Sequence, residues 1–436
     1  MKQLIKYTLT VVLIALIGIS YLLIIYKAQQ KPTEKISSTS AIPSSSSFIS
    51  ILKKISWNPY EESIRSKNQS SFIHYSSKLL TTLLPYLIMV PKIEINQSCS
   101  RPLPKFPSYL ENNCTSLAKP RKVGVLLQFG FEADILEIHL HELSDIVDYF
   151  FILESTRSHF LGIQKPLIWE MLKHQKRFEQ FANQTVHLVL DDIDTIKETI
   201  RVRTETERLY GGYFGMEWLQ EKLRWLKFLQ WNRATEYFRD DDILGIGDVD
   251  EIPCRDTIFY LKHCELPSDP VDIGIWYPYG NINQAHETDW PVPNHPHSLG
   301  DPSYWTLKTG LDYAPAQPTR NRGKSFGYVL GGMHMSHYGY LPVEIVEYFT
   351  ATEAYADDVL KNLAPKLKNL SKESLRRIEV ELGRVPKQFG HRIVSMDELK
   401  AWFPEEYKDV VRLPWFYDCN RKRYPTWEGE HDTRLD

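Results

Sequence analysis

The chain has 436 residues, 42% hydrophobic and 25% charged, a globular composition with room for one large domain or two small ones. A net charge of −3 excludes the strong basic field that nucleic acid requires. The five cysteines include no Cys-x-x-Cys pair, which argues against a zinc ribbon or a thioredoxin-like site.

Tyr7 to Tyr26 is the first element, a stretch without a charged residue. At 1.5 Å per residue, twenty residues span about 30 Å, the thickness of a bilayer core. A signal peptide has a shorter apolar region of about 7–15 residues, so an uncleaved anchor is predicted. Lys2 and Lys6 precede it and Lys27 and Lys31 follow, so flanking charge leaves its orientation open. Five glycosylation sequons, at Asn68, Asn96, Asn113, Asn183 and Asn369, all lie on its C-terminal side. They orient the body into a lumen. Residues 1–6 are then a cytoplasmic tail and 7–26 a transmembrane anchor. In such a compartment cysteines pair; Cys254 with Cys264 and Cys99 with Cys114 are candidate pairs, and the odd count leaves one over.

Residues 27–118 read as a lumenal stem. Ile36 to Ser50 is Ser-rich and cannot bury a core. Leu79 to Val90 is apolar but too short to span a bilayer and is interrupted by Pro85, which predicts a packed stem helix.

The pattern changes near residue 119, the start of a catalytic domain over 119–436. Val123 to Phe129 predicts a buried strand, and Glu132 to Ile146 carries apolar residues at helical spacing. Tyr149 to Glu154 is an apolar run closing on a carboxylate. Trp169 to Ala182 predicts a helix, Val186 to Leu190 a strand, and Trp218 to Phe238 a long amphipathic helix. Strand and helix alternate, which predicts an α/β fold with a largely parallel sheet flanked by helices on both faces.

Ile243 to Pro253 then brings the chemistry. An apolar run, Ile243-Leu244-Gly245-Ile246, leads into Gly247-Asp248-Val249-Asp250-Glu251. In extended backbone Asp248 and Asp250 point the same way. Paired carboxylates repel unless a cation lies between them. Hard divalent ions take oxygen ligands and bridge protein carboxylates to substrate phosphates. The carboxyl edge of a strand in an open α/β sheet is where a nucleotide binds.

Three blocks resemble glycosyltransferase family 17. They are Phe131-Glu132 through Ser155 with Lys165-Pro166-Leu167, Asp240-Asp241-Asp242-Ile243 leading to Pro253, and Gly331-Gly332-Met333-His334-Met335-Ser336. The likeness covers roughly 121–345. It implies a GT-A-type, Rossmann-like fold and a type II Golgi membrane protein. It implies an inverting transfer dependent on Mn²⁺ or Mg²⁺. GlcNAc would move from UDP-GlcNAc onto a glycan or glycoprotein acceptor, with the β-linked mannose of N-glycans as the candidate. It makes Asp250 the main metal ligand, Asp248 a metal or donor ligand, and Glu251 a donor-side or supporting catalytic group. His334 becomes a third metal ligand or diphosphate contact, with Gly331-Gly332 allowing close backbone approach. Glu132 and Glu154, at the ends of the first two strands, become donor contacts.

The chain departs from the family at Met333, where Trp is usual, and at Asn232-Arg233, where a Gln-Arg pair is usual. Acceptor identity therefore does not follow from the resemblance. Glu287, Asp289, Asp312 and Glu353 are all candidates for the base, and none is singled out. Trp276 to Asp312, rich in Pro, Asn, His and Trp, is the candidate acceptor-selecting region. His141-Glu142 lacks a second histidine at metal spacing and reads as structural. The competing class is a non-catalytic, membrane-anchored glycan-binding protein on the same fold.

Overall fold

The computed structural model describes residues 48–66, 69–158, 162–191, 215–279, 281–286, 302–313, 327–335, 340–350 and 393–435, with Pro318, Arg320 and Leu367. The predicted tail and anchor, Asn68 and Asn369 lie outside these residues. Among the described residues no helix is long and apolar enough to cross a membrane.

The strands are β1 (Val123–Gln128), β2 (Tyr149–Ser155), β3 (Thr185–Leu190), β4 (Ile243–Asp248), β5 (Glu251–Pro253), β6 (Val271–Trp276), β7 (Pro278–Tyr279), β8 (Asn281–His286), β9 (Ser303–Thr306), β10 (Gly327–His334) and β11 (Ile393–Ser395). Eight form one sheet in the order β3-β2-β1-β4-β9-β6-β10-β5, and β11-β8-β7 form a second, smaller sheet. The large sheet is mixed, where the sequence predicts it largely parallel. Neighbours from β3 to β4 run parallel, as do β6 and β10. β9 runs antiparallel to both β4 and β6, and β5 runs antiparallel to β10. Strands β5 and β9, of three and four residues, are too short for a periodicity signal, so their direction was not readable from sequence.

β1 and β2 are buried on both faces, so their residues alternate between two cores rather than between core and water. Val125, Leu127, Phe150 and Ile152 belong to one core, while Leu126, Phe151 and Leu153 belong to the other. Helix Ala133–Leu143 packs in the first. Helix Gly215–Thr235 covers the second with Leu223, Trp225, Phe228 and Leu229. It ends where Asn232 closes the turn, its amide bonding both the N–H and the carbonyl of Phe238. Asn232, the shorter amide in the family's Gln-Arg position, thus serves the turn that feeds β4.

The predicted helix over Trp169–Ala182 is two short helices, Ile168–Leu172 and Lys176–Glu179. The predicted stem contributes to the first core: helices Phe48–Lys54, Asn58–Arg65 and Gln69–Leu87 bring Phe48, Leu52, Tyr60, Phe72, Leu80 and Leu83 into it, and the link between the first two adds Trp57. Pro85 is tolerated in the last turn of Gln69–Leu87.

The disulfides differ from the candidate pairs. Cys99 joins Cys419 and Cys114 joins Cys264, leaving Cys254 as a buried free thiol. Both span long separations, 320 and 150 residues, which neighbour-to-neighbour reading misses. Two disulfides mark a protein of the secretory pathway. Asn96, Asn113 and Asn183 are exposed.

Candidate active site at the carboxyl edge of the sheet

The chain leaves β1 for β2 on one side and returns as β4 on the other, so the topology switches between β1 and β4. That crevice is where open α/β sheets bind ligands. Glu132 follows β1, and Asp248 and Asp250 close β4, with Gln128 level with Asp248. The turn between β4 and β5 is held from two sides. His139, fully buried in helix Ala133–Leu143, donates from Nδ1 to the Val249 carbonyl at 2.9 Å. Burial pushes its pKa down to about 4, so the ring is neutral and its role is positional. From the other side the Met335 N–H bonds the Asp250 carbonyl at 2.7 Å.

Gly331 and Gly332 place His334. Both have positive φ, +135° and +141°, inside a bulge in β10. A Cβ on Gly332 would lie 2.6 Å from the Ile252 carbonyl oxygen, and one on Gly331 would lie 2.4 Å from Thr257 Oγ1. The close backbone approach that these glycines allow is therefore to β5 and to helix Arg255–His263, which follows it and carries Thr257. The bulge sets His334 opposite Glu251 and brings its Nε2 to 3.5 Å from Asp250 Oδ2. The His334 ring stacks on Tyr277, centroids 4.5 Å apart.

The site has a basic and an acidic side. Arg320 Nη1 bonds Asp248 Oδ2 at 2.5 Å and Glu251 Oε1 at 2.6 Å, while its Nε bonds Glu221 at 2.8 Å. Arg224 Nη1 lies 3.9 Å from Asp248 Oδ1, an oxygen with no hydrogen-bond partner among the described residues. Glu251 also accepts the Asp248 N–H at 2.8 Å. Burial, with Asp248 adding to it, raises the Glu251 pKa even though Arg320 pulls the other way. Glu251 is 1% exposed; it ties Arg320 to the turn.

The acidic side is Asp250, Glu132 and Glu347. Burial, then the charges of Asp248, Glu251 and Glu132, hold the Asp250 carboxyl well above the usual carboxylate range, with Arg320 only partly offsetting them. Helix Leu341–Thr350 adds Glu347, whose carboxyl is held well above its usual range by burial, then by the charges of Glu132, Glu344 and Asp250. Glu347 was missed in the sequence. It sits in an apolar helix beyond the recognisable blocks, and only its i,i+3 spacing from Glu344 hinted at a shared face.

Glu154, the other predicted donor contact, is engaged elsewhere. It accepts Lys165 Nζ at 2.9 Å and the N–H groups of Ile168 and Trp169 at 2.5 and 3.1 Å, capping a helix. Asp312 is exposed and paired with Lys308; Glu287, Asp289 and Glu353 lie outside the described residues. Glu142 and His141 serve packing. Glu142 accepts the Trp415 N–H at 2.7 Å, and His141 stacks on Phe416 at 3.7 Å.

Residues 111–274 match the profile of glycosyltransferase family 17. The chain carries a glycosyltransferase family 17 domain. Similar curated proteins are the β-1,4-mannosyl-glycoprotein 4-β-N-acetylglucosaminyltransferases of Rattus norvegicus, Homo sapiens and Mus musculus. Each is 27% identical over 143 residues, covering 33% of this chain and 24% of the relative. The match thus spans about a quarter of the relatives' length. No solved structure matches the chain. The family 17 match takes in β1 to β4 and the Asp248–Asp250 turn, and it stops before His334 and Glu347.

Among the described residues no three His, Cys, Asp or Glu side chains are poised to hold a metal by themselves. Yet Asp250 faces burial and acidic neighbours that Arg320 only partly offsets, and Asp248 offers an oxygen with no hydrogen-bond partner among the described residues. A hard cation held by one or two carboxylates, with substrate phosphates and water supplying the rest, suits this donor set.

Proposed function

We propose that the protein is a metal-dependent inverting glycosyltransferase of GT-A type, moving GlcNAc from UDP-GlcNAc onto a hydroxyl of a glycan acceptor, with the β-linked mannose of N-glycans as the first candidate. The observation that carries this reading is the Asp248-Val249-Asp250 turn at the β1/β4 switch point, with Asp250 set among acidic neighbours that Arg320 only partly offsets. The family 17 relatives support the donor and acceptor class. The disulfides and the uncharged stretch over 7–26 support a type II Golgi protein with its body in the lumen.

Asp250, with Asp248 and His334, would hold Mn²⁺ or Mg²⁺, which supplies Lewis-acid stabilisation of the leaving diphosphate. Arg320 and Arg224 offset much of the carboxylate charge of Glu221, Asp248 and Glu251 on that side of the cleft, which lowers the repulsion a donor phosphate would meet. Tyr277 and His334 offer a stacked ring pair beside the reacting centre. His139 and the Met335 N–H keep the turn from shifting. Glu132 and Glu251 fix the two edges of the cleft, one through backbone amides and the other through Arg320. Inversion then takes a single displacement with no covalent intermediate.

The test uses the full chain and measures UDP release from UDP-GlcNAc, with Mn²⁺ or EDTA, with and without N-glycan acceptor. Release that needs Mn²⁺, rises with acceptor and vanishes in Asp250→Asn is the expected result. The rival reading, a glycan-binding protein without turnover, draws on the direct Asp248–Arg320 pair, which competes with a cation. Glycan binding with no UDP release from any donor would establish that rival.

A further inference from the structure

We propose that Arg320 is the protein's own cation at Asp248, exchanged for a divalent ion when the donor's diphosphate takes over its guanidinium. This rests on the transferase reading above and gives Arg320 a role at the donor site.

Three carboxylates from three elements converge on this one guanidinium. Glu221 comes from helix Gly215–Thr235, Asp248 from the end of β4 and Glu251 from the start of β5. Glu221 and Glu251 are buried, so charge on them needs a cation beside it. Arg320 is that cation. Its Nη1 reaches Asp248 Oδ2 at 2.5 Å and Glu251 Oε1 at 2.6 Å, and its Nε reaches Glu221 Oε1 at 2.8 Å. A divalent ion binding Asp248 therefore meets Arg320 on Oδ2, and Arg224 lies 3.9 Å from Oδ1. Positive charges that share one carboxylate repel, so the ion and Arg320 compete for it.

The two arginines are held differently. Arg224 is fully buried, and its Nη1 bonds the Leu126 and Gly247 carbonyls at 3.2 and 2.5 Å, joining β1 to β4. It is part of the frame of the sheet. Arg320 grips carboxylate side chains, and a guanidinium takes phosphate in the same forked geometry as carboxylate. Of its three partners Asp248 is the one that ligands reach. The Asp248 side chain is 27% exposed, against 2% for Glu221 and 0% for Glu251. The diphosphate of a nucleotide sugar brings phosphate oxygens to this edge of the sheet. Passing Arg320 from Asp248 to those oxygens frees Oδ2 for the ion. Donor and ion then favour each other's binding through one carboxylate and one guanidinium.

The experiment titrates Mn²⁺ into the chelator-stripped full-length protein by calorimetry, with and without UDP and without acceptor, so that nothing turns over. A melting curve establishes that each variant is folded. Without UDP, Arg320→Gln should bind Mn²⁺ about tenfold more tightly than wild type. In an Asp248→Asn background Arg320→Gln should bring no such gain, because the competition runs through that carboxylate. UDP should tighten Mn²⁺ binding by a larger factor in wild type than in Arg320→Gln; contacts between Mn²⁺ and UDP are common to both and cancel. Equal Mn²⁺ affinity in wild type and Arg320→Gln overturns the proposal, as does a gain that persists in Asp248→Asn. An equal UDP factor overturns the exchange with diphosphate. Should Arg320→Gln fail to fold, Arg320→Lys decides. A single ammonium cannot fork across the carboxylates, so Mn²⁺ should bind that variant more tightly than wild type, and unchanged affinity overturns the proposal. Mn²⁺-dependent UDP release from UDP-GlcNAc with no difference in Mn²⁺ affinity between wild type and variants overturns this proposal and leaves the transferase reading standing. No Mn²⁺ binding by wild type or variants overturns both.

Discussion

At the scale of single residues, charge in this protein is sorted by what neutralises it. Glu154 and Glu251 lie at the same sheet edge, yet both are tied into the protein by cations and backbone amides. Asp250 is surrounded instead by its own sign of charge. Glu142 shows the same physics away from the site. It is 1% exposed, and burial pushes its pKa from 4.5 up to about 7, against the pull of Arg412, the Trp415 N–H and Arg255. The folded-state pKa is raised, so its contribution to stability is fully present below pH 4.5 and is lost as pH rises through about 7. A shift of this size corresponds to roughly 3 kcal/mol. Glu142→Gln keeps an acceptor for Trp415 and removes the titration. Denaturant melts should find the variant and wild type nearly equal at about pH 4, and the variant more stable by roughly 3 kcal/mol at about pH 8. An equal gap at both pH values would refute the assignment.

At the scale of elements, the bulge in β10 converts glycine into geometry. Without Gly331 and Gly332 the strand could not approach β5 and His334 would not reach Asp250. Gly332→Ala places a Cβ 2.6 Å from the Ile252 carbonyl oxygen at a φ of +141°, a strain of order 1–3 kcal/mol. Its melting temperature should fall, and kcat should fall further than the melting curve explains because His334 moves. Unchanged kcat in a destabilised Gly332→Ala would separate the bulge from function. The same elements show what sequence reveals. β1, β2 and β4 are continuous apolar runs ending at Gly or carboxylate, and the Asp248–Asp250 turn was legible because local spacing carries it. The antiparallel β5 and β9, the Arg320 bridge to Asp248, and Glu347 were not. Each depends on partners dozens of residues away, and no local pattern encodes such a pairing. Glu154 was legible in position but not in role, since helix Ile168–Leu172 had to be placed before its N–H groups could claim it.

At the scale of the whole molecule, the fold closes on itself through pieces that look peripheral in sequence. Cys99 in the predicted stem is bonded to Cys419, and the Asn96 N–H bonds Asn420 Oδ1 at 2.8 Å. Arg423 and Arg434 reach back to Glu137 and Asp134 of helix Ala133–Leu143, at 2.8 and 2.7 Å, beside Arg177. These carboxylates are buried, so a missing partner leaves a charge in the core, at a cost of about 3–5 kcal/mol. Tyr340, at the head of the helix that carries Glu347, bonds the Tyr86 carbonyl at 3.0 Å. Trp57, Tyr60 and Phe72 all pack on Phe349 of that helix. A fragment beginning near residue 110 would keep the family 17 segment and the Cys114–Cys264 bond. It would lose the Cys99–Cys419 bond and the whole N-terminal face of the Glu347 helix. The disulfide alone is worth about 2–5 kcal/mol. A chain starting near residue 46, where the compact unit begins, keeps all of these contacts. With the same secretion signal fused to each, it should be secreted and melt cooperatively, whereas the shorter fragment should be recovered poorly or melt well below it. Equal yield and melting temperature for the two would mean that the N-terminal helices are a stem resting on the domain and not part of what holds its active site together.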